Sequence, residues 1–241
     1  MLYVVGLGPG EHSQISPKAS EAIKNSDVIS GYTVYVDLIQ DLVEGKKIIT
    51  TPMKQEIERT TMAIEAAMEG NDVAMVCSGD AGVYGMAGLV YELADKMNAD
   101  IDIEVIPGIT AASSAAAVLG APLIHDFAVI SLSDLMTPLE DIMKRVDYAS
   151  KSGFVIVLYN PSSKKRGTYL NQACQIIMEN CGEELNCGYV RNIGRDEEYA
   201  EVLSIKELSQ TSVDMFTTVV IGNKNTKIIK NKLVTPRGYQ V

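Results

Sequence analysis

Residues 78–88 read SGDAGVYGMAG, and their types and spacing suit ligand binding. Glycines at 79, 82, 85 and 88 let a backbone approach a bound molecule closely, and Asp80 sets a carboxylate beside them. The apolar run DVAMVCS (72–78) leads in and LVYELADKM (89–97) leaves with helical spacing, so this is a strand-to-helix turn. Such turns line the crevice in which open α/β sheets bind ligands. A second turn, VIPGITAASSAAA (105–117), repeats the arrangement.

Several chemistries are excluded by what these turns lack. GLGPG (6–10) follows the first apolar run, yet a dinucleotide fingerprint needs a third glycine where Glu11 stands. Pro9 removes a backbone donor that a pyrophosphate would use, and the second strand ends at Ser30-Gly31 with no acid for a ribose. No GxxxxGK[ST] and no GxSxG occurs. Two separated histidines do not make a metal hydrolase. Cys77 reads as a core residue, and Cys174, Cys181 and Cys187 match no common zinc spacing, so no metal site is expected. Glycine-bordered turns with hydroxyls and few strong acids or bases fit group transfer, in which a cofactor carries the reactive group.

These turns must be held by βαβ units. Strands are expected at 2–7, 27–30, 46–50, 72–78 and 101–107, with helices at 16–26, 33–42, 54–70, 85–97 and 110–120 between and after them. In the helix at 54–70 the apolar positions 57, 64 and 68, beside Ala63 and Ala67, define the buried face. Alternation at this spacing means a mostly parallel sheet. Strands at 127–133, 153–160, 185–192, 199–205 and 217–223 follow with only two full helices, 137–152 and 169–182, which predicts a second, mixed sheet. The domains expected are 1–119 and 120–241.

The 241 residues carry a net charge of −10, which argues against bulk nucleic-acid binding. No apolar run reaches the length of a membrane span. The start, MLYVVGLGPG, reads as a strand and turn rather than a signal peptide, so a cytoplasmic protein is expected. An anionic ligand would need a local basic patch, with Lys54, Arg59 and the KKR run at 164–166 among the candidates.

GLGPG, SGDAGVYGMA, IPGITAASSAAA, LYNPSS (158–163) and a late TTVVIGN (217–223) occur in order along essentially the whole chain. In this the sequence resembles the tetrapyrrole methylases. The segments GYTVYVDLI (31–39), EIERTTMAIE (56–65), GAPLIHDFAVISLSDLMTP (120–138) and TPRGY (235–239) are similar to the branch that methylates carbon 17 of a corrin precursor and contracts its ring. The resemblance implies two α/β domains, the first with a mostly parallel and the second with a mixed sheet, and S-adenosyl-L-methionine in the cleft between them. It also implies a homodimer with a tetrapyrrole substrate and neither nucleic acid nor membrane as partner. On that pattern Pro9, Gly79, Asp80, Val83, Thr110, Ala111, Asn160, Thr217 and Thr218 border the cofactor. Gly8, Gly10, Lys54, Ser131, Ser133, Lys164 and Arg166 border a macrocycle ringed with carboxylates. Asp80 would pair with the donor's ammonium group. Ring contraction calls for a general acid or base, and His125 is the candidate by type, with Asp80 as a second. Two other readings remain open: the same fold acting on another precorrin position, a protein or ribosomal RNA, and a binding module without chemistry.

Overall fold

The computed structural model describes residues 1–52, 54–163 and 166–240. Its internal contacts divide the chain into two units, Met1–Ala111 and Ala112–Val241. All but the first residue of the helix Ala111–Leu119, placed by the sequence at the end of the first domain, therefore group with the second unit.

The first unit is a five-stranded sheet in which every pairing is parallel. Its strands are β1 (Leu2–Gly6), β2 (Val28–Tyr32), β3 (Lys47–Thr51), β4 (Val73–Cys77) and β5 (Ile103–Ile106), in the order β3-β2-β4-β1-β5. Right-handed crossovers dictate where the helices go. Connections running toward β3 carry α1 (Pro17–Asn25) and α2 (Thr33–Asp37), which pack with Val5, Ile29 and Val76 on one face. Those running back carry α3 (Glu56–Met68) and α4 (Ala87–Lys96), which pack with Val4, Val28, Ile49 and Met75 on the other. Both faces are covered, so β4 is buried along its whole length. Ser16 begins α1 as the sequence suggests, its hydroxyl accepting from Ala19 N at 3.2 Å with Pro17 at the first helical position.

The buried face of α3 differs from the one read from periodicity. Ile57 is 63% exposed and Met68 52% exposed, while Arg59 and Thr60 are buried with Ala63, Ile64, Ala66 and Ala67. The stripe through Ile64 runs by way of Thr60 and Ala67, and Ile57 and Glu58 of the first turn are left in solvent.

In the second unit α5 (Ala111–Leu119) precedes β6 (Gly120–Ala121) and a mixed sheet of order β10-β9-β11-β8-β7. Its strands are β7 (Phe127–Ser131), β8 (Val155–Tyr159), β9 (Asn186–Arg191), β10 (Tyr199–Ser204) and β11 (Thr217–Ile221). Only β7 and β8 pair in parallel. They are joined by α6 (Leu139–Lys151), while α7 (Tyr169–Cys181) and the short α8 (Ile205–Gln210) cover the same face. Ser204 and Glu207 close α8 with a reciprocal capping box. The other face receives Leu119 of α5 at Gly188, where any Cβ would meet the leucine side chain at 2.7 Å. A three-stranded sheet of β12 (Lys227–Ile229), β13 (Lys232–Val234) and β6 was not expected from sequence.

Candidate functional site

Three strand ends meet in the first unit because β4, β1 and β5 are neighbours in the sheet. Beyond the β1–β4 ladder, Leu7 N donates to Cys77 O at 2.8 Å. The two chains then curl onto each other: Gly8 N donates to Gly79 O at 3.0 Å and Gly79 N to Gly8 O at 2.7 Å. Both glycines hold positive φ, +76° and +67°, which a side chain would disfavour. The β5 turn closes on the same point. A Cβ built on Gly6 would lie 2.6 Å from Gly108 N and 2.7 Å from Gly79 O, and one on Gly108 would overlap Gly79 O. Gly6 and Gly108 are thus required by backbone-to-backbone contact, and Gly79 by its positive φ.

Asp80 locks this junction. Its Oδ1 accepts from Gly82 N at 2.8 Å and Val83 N at 2.9 Å, and its Oδ2 from Gly108 N at 3.0 Å. A carboxylate offers about four acceptor positions, and three of them serve the backbone. The side chain expected to bind the donor is first of all the tie between the β4 and β5 turns. Val83 stands 38% exposed on the outside of the turn. Gly8 and Pro9 are buried, Gly10, Thr110 and Ala111 half-buried. Lys54 is exposed, with φ +74° and its backbone N–H on Glu56 Oε1 at 3.1 Å.

The second unit gathers most of its expected residues at one end of its own sheet. Asn160, just past β8 and with φ +52°, donates from Nδ2 to Ser131 Oγ at 2.9 Å. Ser133 N donates to the same hydroxyl at 3.2 Å. Arg166 Nε donates to Ser163 Oγ at 3.0 Å and Nη1 to Leu132 O at 3.5 Å, which sets the guanidinium against this loop. Asp134, 4.0 Å from Arg166 Nε, accepts from Tyr169 OH at 2.8 Å and raises that phenol's pKa. The antiparallel β11–β8 register pairs Val219 with Leu158, so Thr218 comes level with Tyr159 and Thr217 with Asn160. They point to opposite faces. Thr217 shares the helix-covered face with Val219 and donates from Oγ1 to Asp214 Oδ1 at 2.9 Å, while Thr218 takes the other face.

One expectation does not join this group. His125 is exposed and lies ahead of the first residue of β7, whereas Ser131 is the last, so the length of that strand separates them. Lys164 lies outside the described residues. Tyr159 is the residue that the sequence reading missed: its phenolic oxygen accepts from Ala112 N at 2.7 Å and ties the start of α5 to the end of β8. It stands inside LYNPSS, so the signal was present but assigned to its neighbour.

Among the described residues no cluster of His, Cys, Asp and Glu could hold a metal ion, and no helix is long and apolar enough to cross a membrane. All four cysteines are free, and only Cys181 is exposed. Burial pushes the Cys77 thiol up to about 11 and the Cys174 thiol to about 12, with Cys187 raised well above its ordinary value. A raised pKa keeps a thiol protonated and unreactive. A disulfide reagent at mildly alkaline pH is therefore expected to modify one thiol in the native protein and four after denaturation. Rapid modification of more than one in the native state contradicts the packing described.

A family description, Tetrapyrrole (Corrin/Porphyrin) Methylases, matches residues 1–209. The chain is 44% identical over 238 residues to the cobalamin biosynthesis protein CbiHC of Archaeoglobus fulgidus, covering 99% of this chain and 52% of that protein. It therefore spans about half the length of that relative. It is 42% identical to the probable cobalt-factor III C(17)-methyltransferase of Salmonella typhimurium, over 99% of both chains. The crystal structure of the methyltransferase CobJ superposes with a TM-score of 0.91 at 35% identity, covering 98% of this chain and 99% of that one. The glycine junction of the first unit, the mixed sheet of the second and these similarities agree: the chain belongs to the tetrapyrrole methylases.

Proposed function

We propose that the protein is an S-adenosylmethionine-dependent methyltransferase of cobalamin synthesis. Its reaction is methylation of carbon 17 of cobalt-factor III or precorrin-3B, with ring contraction to cobalt-factor IV or precorrin-4. The observation that carries the reading is the junction of the glycine turns with Asp80, in a chain matched end to end by a relative of that name. The residues fit the cofactor. A sulfonium nucleoside has no phosphate, so Pro9 costs it no donor, and Gly79, where an added Cβ would meet nothing nearer than 3.8 Å, leaves the backbone bare where a folded ligand would lie. Bound there, S-adenosylmethionine would supply an electrophilic methyl group whose transfer to carbon discharges the sulfonium.

The protein's own contribution is position. Asp80 directs its fourth acceptor position to the ammonium end of the donor, a charge-assisted bond stronger than a neutral one. Aligning donor and acceptor carbon supplies on the order of 7–11 kcal/mol of the barrier. In the second unit Ser131, Asn160 and Arg166 offer hydroxyl, amide and cationic donors to oxygen atoms of the macrocycle. The reading carries with it a cytoplasmic homodimer, supported by four unpaired cysteines and by the family resemblance. Incubation with labelled S-adenosylmethionine and cobalt-factor III is expected to give a product one methylene unit heavier, with the label on carbon 17. Label transfer to ribosomes or protein instead, with the macrocycle untouched, would redirect the assignment.

A further inference from the structure

The face that α3 turns to the sheet contains a buried charge. Arg59 is 4% exposed. Its one hydrogen bond among the described residues is to a neutral group, Nη1 donating to Thr51 Oγ1 at 2.7 Å. None of the carboxylates among the described residues lies within ion-pair distance of it. Arginine is almost never this buried without a partner, since desolvating a guanidinium is costly unless a counter-charge faces it. Thr51 does not need the bond, because its hydroxyl can donate to Gln55 O at 3.3 Å or Pro52 O at 3.5 Å.

A second, independent observation lies beside it. Ser30 Oγ and Thr60 Oγ1 are buried with no hydrogen-bond partner among the described residues. Thr60 follows Arg59 on α3, and Ser30 sits between Ile49 and Met75 on the face that α3 covers. By strand alternation Thr51 and Cys77 share that face. The charge of Arg59 is felt at Cys77, where it opposes the rise caused by burial. These groups lie toward the carboxyl ends of β2, β3 and β4, the edge at which parallel sheets receive ligands. The α3 amino terminus adds its positive dipole. The two acids of that first turn point elsewhere: Glu56 accepts from Lys54 N, and Glu58 is exposed.

We propose that Arg59 is a substrate-binding residue that takes a peripheral carboxylate of the macrocycle, with the Thr60 hydroxyl as auxiliary donor. The carboxylate is the missing counter-charge. This inference rests on the function proposed above, and it explains why a helix with exposed Ile57 and Met68 buries a cation instead.

Arg59→Met and Arg59→Lys test it. A charge held for a ligand destabilises the free protein, so Arg59→Met is expected to unfold at the same or a higher temperature than wild type. Its affinity for S-adenosylhomocysteine should be unchanged, and its KM for the macrocycle should rise about ten- to a hundredfold, the loss of a charged hydrogen bond. Arg59→Lys, which keeps the charge and loses the planar fork, should fall between the two. A lowered unfolding temperature with an unchanged KM would overturn the proposal and make Arg59 a clamp on the segment before α3. Uroporphyrin, a macrocyclic polycarboxylate, gives a measurement that does not depend on turnover. Wild type should bind it at least tenfold more tightly than Arg59→Met; equal affinities sink the carboxylate role even if methyl transfer is observed. If wild type binds the probe selectively but transfers no methyl group to any precorrin, the reaction assignment fails while the anion site stands.

Discussion

Alanine at Gly108 is expected to abolish S-adenosylhomocysteine binding and to destabilise the protein by about 3 kcal/mol, the upper part of the range for overpacking. The added methyl would overlap Gly79 O and lie 2.7 Å from the carbonyl carbon and oxygen of Gly6. All of these atoms are backbone, so no rotamer change relieves the clash. The segments cannot separate cheaply either. Gly79 is paired to Gly8 through two hydrogen bonds, Leu7 N is held on Cys77 O, and Gly108 N is held on Asp80. Something must open, and each way of opening moves a turn assigned to the cofactor. Gly88→Ala is the matched control. It lies in the first turn of α4 with nothing within 4 Å of the added carbon. There alanine should leave affinity unchanged and stabilise the helix by roughly 0.5–1 kcal/mol. Urea denaturation and calorimetric titration of both variants check the pair. A Gly108→Ala protein with wild-type stability and affinity would mean that the three turns are not in contact.

Asp80→Ala carries the second large effect. Three backbone donors lose a charged acceptor, and bonds of this kind contribute about 1.5–3 kcal/mol each when nothing replaces them. Gly82 and Val83 are exposed and can turn to water, while Gly108 N is part-buried and is the group left unsatisfied. The expected loss of stability is therefore near that of one bond, about 2 kcal/mol. The expected loss of S-adenosylhomocysteine affinity is larger, about a hundredfold, because both the ammonium partner and the turn geometry go. Asp80→Asn separates the two contributions. The amide oxygen can still accept from Gly82 and Val83, but its nitrogen faces Gly108 N donor to donor, and the negative charge is gone. An Asn variant that folds like wild type yet binds as poorly as the Ala variant points to charge. One that recovers affinity points to geometry alone. Because Asp80 and Gly108 share a hydrogen bond, the double substitution should cost less than the sum of the two.

The parallel sheet could be read because every strand of the first unit is a short apolar run followed by a helix with one buried stripe. The strand order could not, since it depends on which crossover passes over which neighbour; handedness then fixes the helix layers once the order is known. The strands β6, β12 and β13 escaped notice because two- and three-residue strands show no alternation to read. On α3 the apolar positions misled: Ile57 and Met68 fit the helical period, yet Arg59 and Thr60 take the buried places. That exchange occurs next to the proposed anion site, where a local rule is broken for a ligand. The glycines of SGDAGVYGMAG were legible as a turn. The contact of Gly79 with Gly6 and Gly108 was not, because it arises from the adjacency of β1, β4 and β5. Similarly, LYNPSS and HDFAVISLSDLMTP were legible as motifs, but only the register of β7 on β8 shows that Asn160 meets Ser131 and that His125 stands at the other end of its strand.

On the proposed function, the glycine junction of the first unit grips a sulfonium donor. Isothermal titration of the wild-type protein with S-adenosylhomocysteine tests it most directly. One molecule per chain should bind, and the Gly108→Ala variant should lose that binding while Gly88→Ala keeps it. A folded wild-type protein that gives no heat of binding at millimolar ligand, or a Gly108→Ala variant that binds as wild type does, contradicts the account.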